Sequence, residues 1–100
     1  MIKHIVMWNI KENHNGETKS EMIGNLKSQL EGLTGKIDEI AELEVGINFN
    51  PSEAACDVVL YSTFNSREDL EIYQKHPEHV KVAGYVSEIR TDRRVVDYEY

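Results

Sequence analysis

A tyrosine and two histidines stand close together in the run Tyr73-Gln74-Lys75-His76-Pro77-Glu78-His79-Val80, and they are the residues of this chain best suited to proton chemistry. An imidazole titrates near neutrality, so His79 is equipped to take a proton from a carbon acid. The Tyr73 hydroxyl is equipped to hold the oxyanion that develops. The alternative reading makes His79 and His4 buried histidines satisfied by hydrogen bonds and Tyr73 a core aromatic whose hydroxyl reaches the rim. Six positions separate Tyr73 from His79, a spacing that does not share one face of an unbroken helix. Pro77 disfavours helical geometry at His76 but starts a new helical segment well, so a break there turns both side chains inward. His79 shares an apolar stripe with Val82, Ala83 and Val86, whereas His76 precedes the proline and serves the break. His76 and His79 also have the spacing of two metal ligands on a helix. No third ligand lies near in sequence and Pro77 disturbs the geometry, so no metal is expected. With Cys56 as the sole cysteine, no Gly-rich phosphate loop and no dinucleotide fingerprint, acid-base side chains are the visible reagents and no cofactor is expected.

The elements that must position these groups are legible in the hydrophobic pattern. From Lys3 to Ile10, His4, Val6, Trp8 and Ile10 fall on one side and Ile5 and Met7 on the other, which describes an interior strand with apolar groups on both faces. Asn13-His14-Asn15-Gly16 is turn chemistry. A helix from about Thr18 to Leu33 follows, with Met22, Ile23, Leu26, Leu30 and Leu33 at helical spacing and Gly32 and Gly35 as stop signals. Leu43, Val45, Ile47 and Phe49 alternate with Glu42, Glu44, Gly46 and Asn48, the pattern of an edge strand with one wet face. Asp57 to Phe64 is again apolar on both sides. Ser66 caps the helix that bears Tyr73, and Arg94 to Tyr100 forms a fourth strand.

The order β-α-β-β-α-β predicts an α+β, ferredoxin-like fold, in which both helices cover one face of a four-stranded antiparallel sheet. The first and third strands then lie in the middle, and these are the two that are apolar on both faces. The bare face, with Ile5, Met7, Val59 and Tyr61, needs a cover. A second copy supplies it, giving a homodimer in the form of a dimeric α/β barrel. On the covered face, His4, Val6, Trp8, Met22, Ile23, Leu26, Val82, Val86 and Val95 are expected to wall a site for a small-molecule ligand or substrate.

One hundred residues leave room for one core, so residues 1–100 are expected to form one domain. Lys plus Arg total 11 against 18 Asp plus Glu, and a formal charge of −7 without a basic run argues against nucleic acid as a partner. The apolar start Met1 to Trp8 is too short for a signal-peptide core or a membrane span, so no membrane partner and a cytoplasmic location are expected.

Met1-Ile2-Lys3-His4-Ile5-Val6, Phe64-Asn65-Ser66, the Tyr73 to Val80 run and Val96-Asp97-Tyr98 together resemble the stress-responsive dimeric A/B barrel (Dabb) family along the whole chain. The resemblance implies a ferredoxin-like homodimer. Through the family's plant olivetolic acid cyclase it implies a cofactor-free aldol-type ring closure, with Tyr73 and His79 as the catalytic pair and His4 nearby. It leaves open a cofactor-independent lyase, cyclase or isomerase, a non-catalytic stress-associated ligand-binding dimer, and a cofactor-free monooxygenase. Arg90, Arg93 and Arg94 depart from the cyclase, whose last strand region is aromatic and aliphatic. A solvated basic edge is expected of them, and an arginine in the pocket would instead select a carboxylate or a phosphate.

Overall fold

The computed structural model describes residues 1–100. The first alternating segment becomes β1 (Ile2–Ile10), with Ile2, His4, Val6, Trp8 and Ile10 buried on one face and Lys3, Ile5, Met7 and Asn9 on the other. A short hairpin follows, β2 (Asn13–His14) and β3 (Glu17–Thr18). Its tight turn needs left-handed backbone at both central positions, and Asn15 (φ 49°) and Gly16 (φ 84°) supply it.

Thr18 opens α1 (Lys19–Gly32) with a capping box. Its Oγ1 accepts the Glu21 N–H at 3.2 Å, and its own N–H donates to the Glu21 carboxylate at 3.0 Å. Thr18→Ala is expected to lower stability by about 1 kcal/mol, read as a lower urea midpoint at unchanged slope. The two glycines mark its end: α1 stops at Gly32 and the turn after it at Gly35, neither of them left-handed. Gly32 keeps right-handed helical angles, and the chain tightens into a 3₁₀ turn, Leu33–Gly35, that carries Leu33 and Ile37 into the core.

β4 (Ile40–Ile47) and β5 (Val58–Phe64) pair antiparallel. The alternation predicted through Phe49 ends at Ile47, because Ile47 already lies opposite Val58, the first residue of β5. Phe49 therefore projects beyond the sheet and is 98% exposed. Ser66 Oγ accepts the Asp69 N–H at 3.1 Å and starts α2 (Arg67–Lys75). The break falls where Pro77 requires it: His76 is extended (φ −62°, ψ 134°), and α3 (Pro77–Ile89) begins on the proline. His76 Nδ1 accepts the Glu78 N–H at 3.1 Å and so caps α3. From Ile89 the chain enters β6 (Arg90–Glu99) without a loop, four residues before the predicted start of that strand at Arg94.

The sheet order is β4-β5-β1-β6, antiparallel throughout, with β1 and β5 in the middle. This is the ferredoxin-like α+β arrangement. Twenty buried apolar residues join into one cluster between the sheet and the helices. No helix is long and apolar enough to cross a membrane.

Candidate functional site

The break at His76 does what the six-residue spacing demanded. The Tyr73 and His79 rings lie 4.5 Å apart between centroids, inclined by 52°. Tyr73 is held from its other side by Phe64 at 4.9 Å, and the His4 ring stands edge-on to it at 6.3 Å. β1 aims His4 at the helices. The Ser62 hydroxyl, fully buried on neighbouring β5, donates to the His4 carbonyl at 2.8 Å and fixes that stretch of strand.

Each ring has a defined hydrogen-bonding state. His79 Nδ1 lies 3.0 Å from the Gln74 carbonyl, which can only accept, so Nδ1 carries the proton and Nε2 the lone pair. Burial pushes the His79 pKa below its ordinary value near 6.5. His4, Arg93 and His76 act in the same direction, against the bond to Gln74. The free base therefore prevails at neutral pH. Burial likewise pushes the Tyr73 hydroxyl well above its usual range, so it remains an O–H donor. That hydroxyl is buried and has no partner within the protein. His4 Nδ1 is paired with the Asp97 carboxylate of β6, directly across the strand pair, which orients the imidazole and leaves Nε2 without a protein partner.

The sign of the His79 shift makes a prediction. Its imidazolium is disfavoured in the folded protein, while an unfolded chain binds that proton near pH 6.5. Stability associated with His79 is therefore present above that pH and lost as pH falls toward the lower, folded value. An NMR titration of the His79 ring proton is expected to show a midpoint below 6.5.

These groups open into a cavity of about 220 Å³ between β1, β5, the start of β6 and α3. His4, Val6, Trp8, Leu60, Tyr73, His79, Val82 and Val86 line its body, with Leu30 from the last turn of α1. Ala83, Ser87, Arg90 and Arg93 form its exposed mouth. Most of the predicted wall is thus present, with four exceptions. Met22, Ile23 and Leu26 are buried in the core away from the cavity, because α1 packs over the β4 side of the sheet and reaches the site only through Leu30. Val95 lies opposite Val6 on the helix-covered face, but it is on the edge strand, stays 47% exposed and does not line the cavity.

The arginines also differ from expectation. Arg94 lies opposite Met7 on the open face of the sheet and pairs with Asp92 at 3.5 Å, but Arg90 and Arg93 line the cavity. Asp97, a residue with no role expected from the sequence, is the partner of His4. His76 and His79 do not come together with a third side chain as a metal-ligand group.

A one-sided antiparallel sheet of this order, with a cavity lined by histidine and tyrosine between sheet and helices, defines a ferredoxin-like α+β protein. The chain belongs to the Stress responsive A/B Barrel Domain family, which it matches over residues 2–100. It is 30% identical over 101 residues to the stress-response A/B barrel domain-containing protein DABB1 of Arabidopsis thaliana, covering 98% of this chain and 46% of that protein. The chain therefore spans less than half the length of that plant relative. Among solved structures, a dimeric protein with a ferredoxin-like fold from Bacteroides fragilis superposes with a TM-score of 0.88 at 36% identity, over 99% of this chain and 95% of that one. A hydroxynitrile lyase from Passiflora edulis shares the fold, with a TM-score of 0.81 at 20% identity over 97% of this chain and 90% of that one.

Proposed function

We propose that this protein is a homodimeric, cofactor-independent acid-base catalyst of the lyase, cyclase or isomerase type, acting on a small carbonyl compound in the cavity beside His79. The observation that carries the reading is the pairing of two complementary free groups: a neutral His79 with its Nε2 lone pair unengaged, and a buried Tyr73 hydroxyl with no protein partner. A buried donor left unpaired costs roughly 1–3 kcal/mol, and a substrate oxygen at that position recovers it. In the proposed step His79 Nε2 removes a proton from carbon next to a carbonyl. The C–H electron pair becomes the new carbon-carbon π bond, and the carbonyl π electrons move to oxygen, where the Tyr73 O–H meets the charge. The imidazolium then returns its proton to carbon or to a leaving oxygen. His4, oriented by Asp97, holds its Nε2 as a second polar contact.

The dimer follows from the apolar open face of the sheet and is supported by the dimeric Bacteroides fragilis relative. A fold neighbour that is a hydroxynitrile lyase supports lyase chemistry as one that this scaffold can host.

The test has two stages. A thermal-shift screen of small carbonyl compounds identifies ligands, because a ligand that binds the native state raises the apparent midpoint. Each hit is then incubated in heavy water with the protein, and deuterium incorporation next to the carbonyl is followed by NMR. Protein-dependent exchange that is lost in His79→Ala is expected. Hits that bind without exchange would instead identify a non-catalytic binding dimer.

A further inference from the structure

The two arginines at the cavity mouth carry information about the ligand. The chain has four arginines, and the two away from the cavity are each matched by a carboxylate: Arg67 by Glu99 at 2.9 Å and Arg94 by Asp92 at 3.5 Å. Arg90 and Arg93 make no ion pair, although acids outnumber bases by 18 to 11. No aspartate or glutamate lines the cavity. The two guanidinium groups are thus unpaired charges at the mouth of the cavity on a protein of formal charge −7, and the nearby Asp97 carboxylate is engaged by His4.

The backbone is built to put both guanidinium groups there. Residues three apart in a regular strand point to opposite faces, so Arg90 and Arg93 in an uninterrupted β6 would separate. Instead the β1–β6 register shifts between Asn9 and Ile10: Arg93 lies opposite Trp8 and Arg90 opposite Ile10, both residues of the buried face. The bulge brings the two arginines to one side, a re-aiming role that such irregularities serve beside functional sites.

The geometry points to a small organic carboxylate as the ligand of this cavity, its carboxylate held at the mouth between Arg90 and Arg93 and its apolar body among Val6, Trp8, Val82 and Val86. The inference rests on the cavity being the binding site proposed above, and it concerns recognition rather than proton transfer. Planar guanidinium donors fit a carboxylate in two-point contact. The cavity volume of about 220 Å³ lies below the roughly 300–1,000 Å³ of sites for drug-sized ligands, which limits the body to about one ring or a short branched chain.

Benzoate and benzamide have the same ring and nearly the same shape and differ in charge, so they make a matched pair of probes. Calorimetric titration of the intact protein at low salt is expected to show benzoate binding about tenfold more tightly than benzamide. The margin should shrink as salt is added. In R90Q/R93Q the preference is expected to vanish while benzamide affinity stays, which also shows that the variant is folded. Inorganic phosphate, charged but without a ring, is expected to bind more weakly than benzoate. Equal binding of benzoate and benzamide, a preference that survives R90Q/R93Q, phosphate binding at least as tight as benzoate, or no binding of either aromatic probe up to about 10 mM would each overturn the assignment. His79→Ala is expected to keep the benzoate preference. A failure of the exchange experiment therefore leaves this inference standing, and a failure here leaves the exchange chemistry standing.

Discussion

Replacing His79 by alanine is expected to lower turnover of a substrate of the cavity by about a hundredfold to ten-thousandfold, the range that a positioned general base contributes. His79 meets the requirements of that role together: it lines the cavity, its Nδ1 is committed to the Gln74 carbonyl, and burial keeps it deprotonated at neutral pH. His76, three residues earlier, provides the control. Its Nδ1 accepts the Glu78 N–H and caps α3, so His76→Ala is expected to cost about 1 kcal/mol of stability and to change turnover far less. Tyr73→Phe keeps the packing against Phe64 and His79 but removes the hydroxyl, and its effect is expected to fall between the two. The measurement is kcat/KM for the three variants, with unfolding curves to separate rate from stability. Turnover that survives His79→Ala, or that a chelator abolishes, would contradict the mechanism.

The same control shows why part of this site was legible in the sequence. A proline between two histidines is a local signal: it fixes where the helix breaks, and the break decides which histidine caps and which faces the cavity. The central strands were legible for a related reason, since β1 and β5 carry apolar side chains on both faces and a strand buried twice belongs in the middle of a sheet. What the sequence concealed is long-range. Asp97 reaches His4 across 93 positions of chain, and nothing near either residue announces the pairing. Arg90-Thr91-Asp92-Arg93 has the composition of a loop, yet pairing with β1 makes it the start of β6. The bulge that turns Arg90 and Arg93 to one side is a property of two strands in register, and neither strand shows it alone. Likewise the periodicity of α1 placed Met22, Ile23 and Leu26 on a buried face correctly, but a buried face can meet either the cavity or the core, and the lateral position of the helix over β4 decided for the core.

Val96→Asp is expected to convert the protein from a dimer into a folded monomer at micromolar concentration, while Val95→Asp leaves the dimer intact. The two residues are neighbours on β6 with nearly equal exposure, 48% and 47%, but they point to opposite faces. Val95 lies opposite Val6 on the helix-covered side. Val96 lies opposite Ile5 on the open side, and Ile5 in turn lies opposite Tyr61, with Met7 opposite Val59 beside them. Met7 and Tyr98 on that face are 38% and 45% exposed. Lys3 stands among them, with its Nζ over the Tyr61 ring at 5.2 Å and the Tyr100 ring at 4.8 Å, so even its charge is set against aromatic surface. Arg94, opposite Met7, borders this face at the end away from Tyr98. The apolar patch of Ile5, Met7, Val59, Tyr61, Val96 and Tyr98 across three strands is still larger than isolated monomers ordinarily leave to water, and two-fold pairing covers it with an identical face. Two-fold symmetry also doubles the effect of the substitution. Each subunit contributes one carboxylate to the desolvated interface, at a cost of about 3 kcal/mol per buried unpaired charge, or roughly 6 kcal/mol per dimer, which corresponds to more than a ten-thousandfold weaker Kd. Both valines are half exposed in the single chain, so neither change should unfold it, and circular dichroism checks this directly. Sedimentation of the unaltered protein and the two variants decides the matter. A wild-type monomer, or a dimer that tolerates aspartate equally at 95 and 96, would mean that the open face of the sheet is not the interface.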